Sequence, residues 1–196
     1  MSGPRGPYRK SAERQSQILD AAFEVFSRSG YSASSVNEIA AAVGVTQTAV
    51  LHHFSGGKIA LLRAVLEQRD RSAELELEGL DGRRFLTELL EISRQQVGQR
   101  GVVQLYTMLA AEAVDPAHPA HDYFAQRFLR IADAVEAAFR AVGDEGGLRP
   151  GVDPRRAALS TMASVEGAQL LWLSGLDIDF VEESRRTING FLVDPI

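Results

Sequence analysis

Apolar residues along this chain recur at the three- and four-residue spacing of helices, and no stretch shows the sustained alternation of a strand. Segment 11–29 carries Ile18, Ala21, Ala22, Val25 and Phe26 at helical spacing, with Ser11 as an N-cap and Gly30 as the stop. Segment 35–42 opens on Ser35 with Glu38 three residues on, a capping box, and turns Val36, Ile39 and Ala40 inward. Gly44 gives the backbone freedom of a tight turn, Val45 is expected as a buried plug, and Thr46 caps a helix over 46–53 with Ala49, Val50 and Phe54 inward. A fourth helix runs from about 57 to 78 with Ala60, Leu61, Ala64, Val65 and Leu66 as its stripe; Glu74, Glu76 and Glu78 mark a solvated end. Further helices are expected at 82–98, 102–114, 117–142, 154–174 and 179–193, the fourth of these opened by Asp153 and a first-turn Pro154. The reading is all-α with about nine helices. Its parts are a mobile basic arm over 1–10, a three-helix unit over 11–56, and a larger helical unit over 57–196.

The stretch SSVNEIAAAVGVTQTAVLHHFSGGK, residues 34–58, is two short helices joined at a glycine. Its second helix offers hydroxyls, an amide and imidazoles, which is the make-up of a helix-turn-helix. A reading helix enters the major groove with the side chains of its N-terminal end. Here Gln47 can bond an adenine edge in bidentate fashion, and Thr48 can donate, accept or touch a thymine methyl. Thr46 stands at a helix N-terminus, where free N–H groups draw a phosphate. His52 and His53 lie at the far end near the backbone, Lys58 can neutralise a further phosphate, and Ser34 and Ser35 are similarly placed.

Composition changes the picture in two ways. The net charge of −5 argues against nucleic acid at first sight, but residues 1–63 hold seven Lys and Arg against four acids, a net +3, and the remainder is net −8. The N-terminal third is therefore the basic pole of an acidic protein. Cysteine is absent, which excludes a disulfide scaffold, a zinc finger and a thiol nucleophile, and fits a reducing, cytoplasmic setting. No apolar run reaches the roughly 18 residues of a membrane span, and the N-terminus lacks the apolar segment of a secretory signal.

The residues ILDAAFEVFSRSGYSASSVNEIAAAVGVTQTAVLHHF, followed by KIALLRAV, resemble the N-terminal domain of the TetR family of bacterial transcriptional repressors. The family pattern has an Ile-Leu-x-Ala-Ala-x-x-Leu-Phe first helix, a Gly-Tyr corner, a Thr/Ser-Val-x-x-Ile-Ala second helix, and Gly-Val-Ser before the reading helix. Two departures stand out. Leu51 occupies a position where many members carry a phosphate-touching tyrosine, and the loop from Phe54 to Lys58 is one residue longer than the commonest form.

The resemblance implies a homodimer paired through its last two long helices, here about 154–174 and 179–193. Ala157, Ala158, Thr161, Val165, Ala168, Leu171 and Trp172 would make one face, and Phe180, Ile188, Phe191 and Leu192 the other. Two reading helices about 34–36 Å apart would then meet a palindromic operator in double-stranded DNA. It also implies a chamber for a small-molecule inducer, built from helices 82–98, 102–114, 117–142 and 154–174. Candidate lining residues are Leu89, Gln104, Leu105, Tyr106, Met108, Leu109, Phe124, Phe128, Met162, Val165, Glu166 and Trp172, apolar with a few polar groups as small-molecule sites usually are.

No catalytic residue, cofactor or metal is expected. His118 and His121 in DPAHPAHD could share a helix face and bind a metal, but Pro116 and Pro119 put His118 in an irregular first turn. The competing reading is an all-helical small-molecule binder or enzyme with a basic cap; an architectural DNA binder is disfavoured by the acidic bulk.

Overall fold

The computed structural model describes the backbone of residues 6–196, and side chains from Ser11 onward apart from Ser72. Nine α-helices make up the described residues: α1 Gly6–Ser29, α2 Val36–Val43, α3 Gln47–His53, α4 Gly57–Leu77, α5 Gly82–Val97, α6 Arg100–Glu112, α7 His121–Asp144, α8 Pro154–Leu173 and α9 Phe180–Phe191. The only β pairing among them is a single antiparallel bridge, Leu148 with Leu192. The chain forms two compact units, Met1–Arg71 and Ser72–Ile196, with the division inside α4.

The first unit holds α1, α2, α3 and most of α4. Its buried apolar side chains are Ile18, Ala22, Phe23, Val25 and Phe26 on α1, Ile39 and Ala40 on α2, Val50 and Phe54 at α3, and Leu61, Leu62, Val65 and Leu66 on α4. The helix boundaries are set locally. Ser35 Oγ accepts the Glu38 N–H at 3.1 Å, and Thr46 Oγ1 accepts the Ala49 N–H at 3.2 Å. Gly44 ends α2 at φ 71°, a left-handed conformation, and its N–H goes back to the carbonyls of Ala40 and Ala41. An ion pair between Arg28 and Glu38 links the end of α1 to α2.

The second unit is built on a core of Phe85, Leu86 and Leu90 from α5, Val135, Ala138, Phe139 and Val142 from α7, Ala157 and Ala158 from α8, and Ile188 and Leu192 at α9. Phe139 meets Phe191 edge to face at 5.8 Å. The C-terminal segment is tied down by Val193 N–H to Gly147 O at 2.9 Å, Arg149 N–H to Phe191 O at 2.9 Å, and Arg83 to the carbonyls of Asp194 and Pro195. Gly147 is required there, because a Cβ would come within 2.8 Å of Val142 Cγ1.

Several boundaries differ from the sequence reading. The arm expected over 1–10 divides: residues 1–5 lie outside the described residues, and 6–10 are the first turns of α1, so Ser11 is not its cap. Proline is tolerated in a first helical turn, where its missing N–H has no intrahelical partner, so Pro7 does not stop α1. α7 starts at His121 rather than 117, because Asp115 and His118 fold the preceding residues into turns through Ala117 N–H to Asp115 Oδ1 and Ala120 N–H to His118 Nδ1. Val45, expected as a buried plug, is half-buried.

Candidate nucleic-acid interface

The helix α3 has one inward and one outward side. Val50 is fully buried and Ala49 and His53 are half-buried, whereas Thr46, Gln47, Thr48 and His52 are exposed. At 100° per residue, Gln47, Thr48, Leu51 and His52 fall on one continuous face, with Thr46 at its N-terminal end. Gln47 and Thr48 are thus held in the first turn of a short helix fixed from behind by Val50 and Phe54. The two imidazoles at the far end, His52 and His53, lie edge to face with ring centres 5.7 Å apart.

Leu51 breaks the polar row. It is half-buried, and its Cδ2 lies 3.9 Å from the position a Cβ on Gly57 would take. Its side chain therefore leans on the turn into α4, where Gly57 has φ 68°. Apolar packing against the α3–α4 turn takes the place of the tyrosine hydroxyl that the resemblance led one to expect.

Two of the residues expected at phosphates are placed otherwise. Ser34 is buried, at 6% exposure, and its hydroxyl donates to the Tyr31 carbonyl at 2.7 Å, so it is a corner residue rather than a surface donor. Lys58 is half-buried; its Nζ donates to the carbonyls of Ser34 at 2.6 Å and Ser32 at 3.5 Å, and lies 4.3 Å from the centre of the Tyr31 ring. Burial raises the Tyr31 phenol above its usual range. Ser35 stays exposed while its oxygen caps α2. Spacing alone did not single out Tyr31 and Ser32, since their partner Lys58 lies far along the chain.

In the second unit the expected ligand-lining residues separate into groups. Tyr106, Phe124 and Phe128 come together, with ring centres 6.2 Å apart for the first pair and 6.0 Å for the second. Arg127 lies over the Tyr106 ring at 4.6 Å, and Gln104 Nε2 points to Met108 Sδ at 3.7 Å. Leu105 and Leu109 are fully buried, and Met162 and Val165 are half-buried. Glu166, on α8, makes no hydrogen bond among the described residues; burial raises its pKa, and the charge of Arg127 opposes that rise. Leu89 lies elsewhere, packed against the α5–α7–α8–α9 core. Trp172 is also separate: it packs on Phe180 at 5.2 Å, carries Arg100 at 4.8 Å over its ring, and lines a cavity of about 240 Å³ with Val97, Asp177, Ile178 and Asp179. Arg127 and Arg100 were not expected from the sequence, where a single Arg in an amphipathic helix reads as solvated surface.

The faces expected to pair with a second chain are mostly spent inside this one. Ala157, Ala158, Thr161, Ala168, Phe180, Ile188 and Leu192 are buried. The large apolar residues that α8 leaves outside are Leu159, Leu170 and Leu171, at 48%, 53% and 43% exposure. His118 and His121 serve the α6–α7 connection: His118 Nε2 stands 3.4 Å from Glu112, and His121 Nδ1 lies 2.9 Å from the Ala113 carbonyl. No cluster of three or more metal-ligating side chains occurs among the described residues, and none of their helices is long and apolar enough to cross a membrane.

A family model described as bacterial regulatory proteins, tetR family, matches residues 18–65, the stretch from α1 to α4 that contains this geometry. Residues 18–65 thus match the N-terminal domain of the TetR family. The chain is 42% identical over 67 residues to the HTH-type transcriptional regulator SrpR of Pseudomonas putida, a match that covers 34% of this chain and 31% of that regulator's length. The whole fold is similar to a TetR-family transcriptional regulator from Agrobacterium tumefaciens, with a TM-score of 0.79 at 22% identity, over 93% of this chain and 100% of that one. It is also similar to the complex of SmeT with triclosan, with a TM-score of 0.76 at 21% identity, over 91% of this chain and 89% of that one. SmeT is described as the repressor of a multidrug efflux pump of Stenotrophomonas maltophilia.

Proposed function

We propose that this protein is a cytoplasmic, homodimeric transcriptional repressor that binds a palindromic operator and is released from it by a small molecule. The observation that carries the reading is the outward side of α3. Gln47 and Thr48 sit exposed in the first turn of a capped helix, with Thr46 at its N-terminus and His52 beyond, in a chain whose N-terminal third is its basic pole. Gln47 and Thr48 read base edges. Thr46, Ser35 and His52 meet the phosphate backbone, with His53 behind them.

A second copy of the chain supplies the second reading helix. The exposed stripe Leu159, Ala163, Gly167, Leu170 and Leu171 on α8 supports this, since a stable monomer leaves few such stripes open. A Cβ at Gly167 would meet nothing within 4 Å, so a second helix can approach closely there.

The inducer site is placed at Tyr106, Phe124, Phe128, Arg127 and Glu166. An aromatic wall with one cation and one carboxylate lacking a hydrogen bond is the make-up of a small-molecule site. SmeT, a fold neighbour, is known with triclosan bound. An inducer acts only through a difference in its affinity for the DNA-bound and free forms. α4 is the element that continues from the reading unit into the second unit, where its last residue, Leu77, packs on the core.

The test is retention of the DNA upstream of its own gene, followed across a salt series. Retention that falls steeply with salt and is competed by the same palindrome supports the reading. Ligand binding or turnover without DNA retention identifies a helical binder or enzyme instead.

A further inference from the structure

The ammonium of Lys58 reaches into the α1–α2 corner. It donates to the carbonyl of Ser34, the residue just before the N-cap of α2, and reaches the carbonyl of Ser32. The Tyr31 ring closes the third side at 4.3 Å and is itself packed 6.1 Å from Phe26 of the buried α1 face. Two carbonyls and a ring face match the three donors and the charge of an ammonium. The corner is built for it: Tyr31 O accepts from both the backbone and the hydroxyl of Ser34, which holds the Ser34 carbonyl outward toward Lys58. Lys58 is the second residue of α4, and Leu51 of α3 leans on the first, Gly57. Both helices of the helix-turn-helix are thereby referenced to the same end of α4.

We infer that Lys58 is a positioning residue that pins the start of α2 to the start of α4, and that its charge is spent on backbone carbonyls instead of a DNA phosphate. The inference rests on the DNA-binding reading for its consequence. This side chain ties the start of α4 to the start of α2 beside their shared core, so its loss loosens the placement of the reading helix before it removes any attraction to DNA.

The experiment compares the full-length parent with Lys58→Met on two probes, a duplex selected by the parent from a random pool and a duplex of arbitrary sequence, across a salt series. Amide hydrogen exchange over residues 31–36 is measured on the DNA-free proteins. Positioning predicts a loss of about tenfold or more on the selected duplex, a smaller loss on the arbitrary one, an unchanged salt slope, and faster exchange over 31–36. A phosphate contact predicts equal losses on both probes, a slope lower by about 0.9 for each of the dimer's two lysines, about 1.8 in all, and unchanged exchange; that result, or no loss at all, overturns the inference. If Lys58→Met does not fold, Lys58→Arg decides. Its forked guanidinium suits a phosphate but not the compact seat between carbonyls and ring, so positioning predicts a reduced preference for the selected duplex. Full preference in Lys58→Arg overturns it. If the parent retains neither duplex, the DNA reading fails, and unchanged exchange over 31–36 would still refute the tie.

Discussion

Thr46 Oγ1 accepts the backbone N–H of Ala49 at 3.2 Å, and the same hydroxyl keeps its own proton to donate outward. One side chain thus starts α3 and remains open to a phosphate. Substitution separates the two roles. Thr46→Ala removes both and is expected to lower stability by about 1 kcal/mol, a usual cost for a lost N-cap. Thr46→Asp keeps the cap acceptor but sets a negative charge against the phosphate. It should melt at or above the parent temperature while its DNA affinity falls. Thermal melting and gel retention on the two variants check this; undiminished affinity in Thr46→Asp would place Thr46 off the DNA.

Gly44 tests the turn. Its φ of 71° lies in the left-handed region, and an added Cβ would meet nothing within 4 Å. Gly44→Ala is therefore expected to cost only backbone strain, about 1–2 kcal/mol, with no clash. Chemical denaturation measures it. A cost near zero would mean that the turn relaxes to another conformation.

The capping residues Ser35, Thr46 and Asp153 and the stop at Gly44 were legible in the sequence because each acts on a backbone group three or four residues away. A side chain with a fixed short reach leaves its partner's position in the sequence itself. Lys58 is placed otherwise than expected for the opposite reason: its bond to the Ser34 carbonyl spans 24 residues, and an isolated lysine at a helix start is indistinguishable from a phosphate ligand until the corner is folded. The α8 face failed in the same way. Ala157 and Leu159 are both apolar, and only the packing of α7 and α9 decides that the first is buried and the second exposed. Tyr106, Phe124 and Phe128 were expected to line a chamber, but their grouping with Arg127 depends on how two helices cross.

The exposed stripe on α8 gives a prediction on assembly. Leu170 and Leu171 are half outside in the single chain, where surface substitutions typically change stability by no more than about 0.5 kcal/mol. Leu170→Glu combined with Leu171→Lys should therefore leave the fold intact and convert a dimer to a monomer in sedimentation. Operator affinity should fall with it, since one short reading helix binds weakly. A variant that still sediments as a dimer would move the interface away from this face.

Glu166 ties stability to pH. Burial raises its pKa above the usual 4.5, so the folded state binds this proton more tightly than the unfolded chain does. Its contribution is complete below the unfolded value and is lost as pH rises through the raised folded value. Glu166→Gln removes the charged form. The variant should melt higher than the parent at about pH 7.5, with the gap shrinking toward about pH 4. A constant gap would show that the carboxylate titrates normally. The same variant should alter inducer response if the site lies where it is proposed.

Gln47 carries the claim on sequence readout. It is exposed in the first turn of α3, and its amide can donate to and accept from one base edge at once. Gln47→Ala leaves the cap at Thr46 and the packing of Val50 untouched, so the fold should persist. The expected loss is about 1–3 kcal/mol at the base pair it reads, with other positions of the operator unaffected. Because the side chain is neutral, the salt dependence should stay that of the parent. Binding to a panel of single-base operator variants checks this directly. If Gln47→Ala ranks the whole panel as the parent does, the amide reads no base, and discrimination belongs to Thr48 and its neighbours.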